Sequence, residues 1–74
     1  MSSAYAVILF HSTSHAIRAE RVLEEARLQS KLIPVPRQLS SDCGVCVRVA
    51  RLDQSAAKRA LEGAGMEVEG IHDI

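Results

Sequence analysis

Ala4-Tyr5-Ala6-Val7-Ile8-Leu9-Phe10 is an apolar run rich in residues that favour extended backbone. A strand apolar on both faces suits the middle of a sheet, and that one demand takes up much of the core a chain of 74 residues can build. A domain this short buries about 60% of its unfolded surface. Residues 1–74 are therefore expected to form a single domain without a deep cavity between lobes. A functional site must lie on an edge, on a loop or at an interface.

The rest of the chain supplies partners for that strand. His11-Ser12-Thr13-Ser14-His15 is polar and offers several helix N-caps. Ala16, Ala19, Leu23 and Ala26 then recur at helical spacing with Arg18, Glu20, Arg21, Glu24 and Glu25 between them, which predicts an amphipathic helix to about Leu28. Residues 31–35 read as a short second strand, and Pro34 and Pro36, lacking backbone donors, place it at a sheet edge. Residues 45–49 alternate, with Val45, Val47 and Val49 on one face and Cys46 and Arg48 on the other. A second helix capped by Asp53 or Ser55 would bury Ala56, Ala57, Ala60 and Leu61 and end at Gly63 and Gly65. Residues 66–71 read as a last strand, Met66 and Val68 opposite Glu67 and Glu69.

Strand, helix, strand, strand, helix, strand predicts an α+β ferredoxin-like βαββαβ fold. The expectation is a four-stranded antiparallel sheet in the order 4-1-3-2 with two helices on one face, its central first and third strands running parallel to each other. The other face would stay open and carry Cys46, Arg48, Glu67 and Glu69, a surface on which a second copy could pair.

Several functions are disfavoured by composition. Nine basic and nine acidic residues cancel, and Tyr5 and Phe10 are the sole aromatics, so neither a global field nor a stacking platform favours nucleic acid. No apolar run approaches the length of a membrane span, and residues 1–6 lack the pattern of a signal peptide, so a cytoplasmic location is expected. Two cysteines in that compartment mean thiols, a metal site or redox chemistry.

Those thiols make Cys43-Gly44-Val45-Cys46 the chemically distinctive segment. With the first and third strands parallel, His11 and His15 would stand ~15 Å or more from Cys43, beyond the ~3 Å a Cys–His pair needs. His72 would share the end of Cys43, on the far edge strand. One Cys-X-X-Cys supplies only half of a structural zinc site, so metal would need two chains; neither metal nor cofactor is expected in one. On one extended strand the two cysteines would be ~10 Å apart, against a limit of ~7 Å for a disulfide, unless Gly44 turns the chain. Asp42 would oppose ionisation of Cys43, whereas Arg37 and Arg48 would favour it. Cys46, between Val45 and Val47, reads more as a small buried hydrophobe. Ser12 and Ser14 at a helix start suit an anion site, although capping explains their hydroxyls equally well.

Tyr5-Ala-Val-Ile-Leu-Phe10, Ser12 with His15-Ala16 and Ala19-Glu20, Lys31-Leu-Ile-Pro-Val-Pro-Arg37, Ser40-Ser41-Asp42-Cys43-Gly44 and Val68-Glu69-Gly70-Ile71 resemble the selenium/sulfur (Se/S) carrier protein-like family across almost the whole chain. The resemblance implies a protein that holds sulfur or selenium on cysteine, as a persulfide or selenosulfide, and passes it between donor and acceptor proteins. The cysteine before glycine, Cys43, would carry the atom. Gly44 would admit the partner's backbone, Arg37 or Arg48 would stabilise the anion, and Cys46 would act as an optional resolving thiol. Competing readings are a regulatory or small-molecule-binding dimer, a thiol–disulfide module and a metal-bridged dimer.

Overall fold

The computed structural model describes residues 4–39 and 44–74. Cys43 therefore lies outside the described residues. β1 is Tyr5–Leu9, α1 Thr13–Glu25, β2 Ser30–Pro34, β3 Val45–Ala50, α2 Gln54–Gly63 and β4 Gly70–Asp73, with a single 3-10 turn at Arg51–Asp53 before α2. The sheet order is β2-β3-β1-β4, every neighbour antiparallel. β1 is central, as its two apolar faces require, and β2 is an edge, as its prolines require.

The parallel arrangement of the first and third strands is overturned. Leu9 pairs with Cys46 and Tyr5 with Ala50, so β1 and β3 run in opposite directions. The reason lies in the connections. α1 carries the chain back so that β2 runs in the direction of β1, and the β2–β3 hairpin then reverses it. The end of β1 and the start of β3 share one end of the sheet.

β1 sends alternate residues to two clusters. Ala6, Ile8 and Phe10 meet Val47 and Val49 of β3 beneath Ala16, Ala19 and Leu23 of α1 and Ala57 and Leu61 of α2, so both helices cover one face. On the opposite face Val7, Leu9 and Cys46 are buried under Ile33, Val35, Leu39 and Ile74. That second face was expected to hold Cys46 and Arg48 with Glu67 and Glu69. The two glutamates do not belong there, because β4 starts only at Gly70. Met66 is instead a buried residue of the helix-side core.

Both helices end in the same Schellman geometry. In α2, Met66 N–H donates to Leu61 O at 3.0 Å and Gly65 N–H to Glu62 O at 3.0 Å, with Gly65 at φ +72°. In α1, Leu28 N–H donates to Leu23 O at 2.9 Å and Arg27 N–H to Glu24 O at 2.9 Å, with Arg27 at φ +62°. This left-handed turn stops α1 at Glu25, short of Leu28, and leaves Ala26 exposed rather than in the buried stripe. In α2, likewise, Ala57 and Leu61 are buried while Ala56 is exposed. An arginine carries the strain of a β-carbon at a position that suits glycine. Arg27→Gly is expected to stabilise the fold by about 0.5–1 kcal/mol after the larger chain entropy of glycine is counted. Urea denaturation would show it as a higher midpoint with unchanged slope.

Candidate functional site

Because β1 and β3 are antiparallel, the segments around the Gly44 loop gather at one end of the sheet. Gly44 precedes β3 by one residue, and His11 and Ser12 follow β1. Val35 N–H donates to Gly44 O at 3.2 Å, which closes the neck of the β2–β3 hairpin. Leu39 N–H donates to Pro36 O at 3.0 Å, and Leu39 packs with Val35 over Val7, Leu9 and Cys46. The hairpin loop is thus anchored on both sides before it reaches residues 40–43. Gly44 is exposed, and among the described residues nothing lies within 4 Å of where its β-carbon would be.

Two histidines stand at this end, each tied through Nδ1. His11 Nδ1 lies 3.4 Å from Glu69 Oε2, with the His11 side chain 55% exposed and that of Glu69 22%. Glu69 is held by its own backbone, whose N–H donates to Leu9 O at 2.7 Å. Its Oε1 is buried with no hydrogen-bond partner among the described residues, so the imidazole is the carboxylate's main compensation for lost water there. His15 Nδ1 lies 2.6 Å from Ser12 Oγ, which also accepts the His15 N–H at 3.2 Å as the N-cap of α1. With Nδ1 engaged, each ring keeps Nε2 for proton exchange with another group.

The other expected site residues are dispersed. Arg37 is exposed in the hairpin loop, two residues beyond Val35, whose N–H donates to Gly44 O. Arg48 is not: it pairs with Val7 at mid-strand, and its guanidinium reaches away from Gly44 to lie over the Tyr5 ring, 4.2 Å from the centroid. Four strand residues separate it from Gly44, about 13 Å. Cys46 is fully buried, its Sγ 4.0 Å from Pro34 O. Ser12 is engaged in capping, and Ser14 is exposed in the first turn of α1. His72 pairs with Val7 in the middle of the sheet rather than at the Gly44 end. Among the described residues no group of three or more His, Cys, Asp or Glu side chains could hold a metal ion, and no helix is long and apolar enough to cross a membrane.

The family described as "Putative Se/S carrier protein-like" matches residues 5–73. The chain belongs to this family. No curated protein and no solved structure matches it. Several segments on which the likeness to the Se/S carrier family rests meet at the end just described: Ser12 and His15, the Pro34–Arg37 stretch, Gly44, and Glu69-Gly70. Sequence reasoning passed over His11 and Glu69 as neighbours of this loop. The signal that could have found them was available: a strand–helix–strand crossover sets β2 parallel to β1, a hairpin reverses β3 against β2, and together they set β3 against β1.

Proposed function

We propose that this Se/S carrier family member transports a chalcogen atom on Cys43, and that the residues around Gly44 serve that thiol. The observation that carries the reading is the convergence of His11–Glu69, Ser12–His15 and Arg37 on the sheet end from which Gly44 leads to Cys43. The thiolate of Cys43 attacks the outer sulfur of a donor protein's persulfide; the new S–S bond forms as the donor's S–S bond breaks, and the donor leaves as a thiolate. Sulfur passes with no net oxidation. His11 takes the Cys43 proton and returns it to the departing thiolate, held in place by Glu69. Arg37 balances the charge of the bound persulfide. Gly44, open and without a side chain, lets the backbone of donor or acceptor come close. A selenosulfide forms by the same exchange.

The buried position of Cys46 favours packing over a resolving role. The test is incubation of the reduced protein with a cysteine desulfurase and cysteine, followed by intact mass spectrometry. One added sulfur atom, removed by a thiol reductant, is the expected result; absence of any adduct sinks the reading. In the same assay His11→Asn is expected to lower the rate of adduct formation by about a hundredfold, the low end of the range for a lost proton acceptor, while the final extent is unchanged.

A further inference from the structure

The second face of the sheet carries a row of side chains fixed by register. Lys31 pairs with Arg48, Arg48 with Val7, and Val7 with His72, so all four point to the same side. Lys31 and Arg48 are like charges set directly opposite, with β-carbons about 5 Å apart, an arrangement that destabilises a sheet. No acidic residue shares this face in the four strands: Asp73 alternates to the other side, where it lies 3.8 Å from Arg51 Nε. Arg48 rests on the Tyr5 ring at 4.2 Å. Tyr5, Lys31 and Arg48, with Arg27, line an open depression of about 720 Å³ that continues around the β2 edge to Glu20 and Glu24 of α1. Of those two carboxylates, Glu20 already accepts the Leu32 N–H at 3.2 Å.

We infer that Lys31 and Arg48 form a binding site for a small phosphate-bearing molecule, with Tyr5 as its aromatic wall. Two cations held side by side across neighbouring strands match the charge of a phosphate dianion, and the guanidinium supplies paired donors in the plane phosphate oxygens prefer. Tyr5 holds the arginine in register and presents its ring beside the anion. The site lies in the half of the sheet away from Gly44, so it stands or falls independently of thiol chemistry at Cys43.

Tyr5 is the single tyrosine and there is no tryptophan, so its fluorescence reports on this site alone. Titration of the full chain with inorganic pyrophosphate is expected to give a saturable change in Tyr5 emission. Lys31→Gln and Arg48→Gln should each raise Kd by about tenfold or more. Lys31→Glu should abolish binding and yet raise Tm by roughly 2–5 °C, because it turns an opposed pair of like charges into an attractive one. That opposition between binding and stability separates a ligand site from a merely structural lysine. No saturable change, an equal Kd in all variants, or response to a single-stranded oligonucleotide but not to pyrophosphate would each overturn the inference.

Discussion

Cys43→Ala is expected to abolish the sulfur adduct completely, whereas Cys46→Ala is expected to leave it intact. The contrast follows from where the chain places each neighbour. Cys46 is fully buried beside its strand partner Ile33, in a cluster against which Val35, Leu39 and Ile74 also pack. An added sulfur atom there would have to displace packed side chains, at a cost of about 1–3 kcal/mol for overfilling a core. Its replacement by alanine removes one atom from a small cluster and should leave the fold in place. Cys43 adjoins Gly44, which is exposed with nothing among the described residues closing over it, and its proposed chemistry draws on His11, Glu69 and Arg37. Intact mass spectrometry of the three proteins after desulfurase treatment reads the difference directly. Retention of the adduct in Cys43→Ala would remove that residue from the mechanism.

Phe10→Ala is expected to remove roughly a quarter to all of the fold's stability. Phe10 is the largest of the fully buried side chains and joins the end of β1 to both the sheet and the helices. Truncation of such a residue costs about 3–5 kcal/mol. A domain of this length has roughly 4–11 kcal/mol of total stability. The variant should show a urea midpoint lowered by about 1 M or more, or no cooperative transition at all. Leu52→Ala is the matched control: that side chain is 97% exposed, and its loss should move the midpoint by no more than the scatter among surface substitutions. A midpoint for Phe10→Ala close to that of Leu52→Ala would mean that the sheet and helices are not held together through this residue.

Much of the fold was legible because periodicity reports burial. The apolar run at residues 4–10 announced a central strand, the alternation at 45–49 divided Val47 and Val49 from Cys46 and Arg48, and Pro34 announced an edge. The last strand was misplaced because Met66 and Val68 alternate with Glu67 and Glu69 as strand residues would, yet they follow a Schellman turn that feeds Met66 directly into the helix-side core. The cover on the second face was illegible for another reason. Leu39 and Ile74 reach it from a loop and from the last residue of the chain, neither of which has a period to read. At the candidate site the difficulty was direction rather than residue type: His11 and the Gly44 loop were both recognised, but a reversed strand separated them by the length of the sheet.

The outer rim of β2 has a consequence for assembly. Leu32 N–H faces away from β3 and is taken by Glu20, and Pro34, two residues on and facing the same way, has no N–H to offer. A further strand would find that rim short of donors, which leaves the Gly70–Asp73 rim as the place where a second molecule can lengthen the sheet. Two molecules joined there would present only sealed rims outward. Were a second molecule to pair there, growth by strand addition would stop at two, a guard against the fibres to which an open sheet edge is prone.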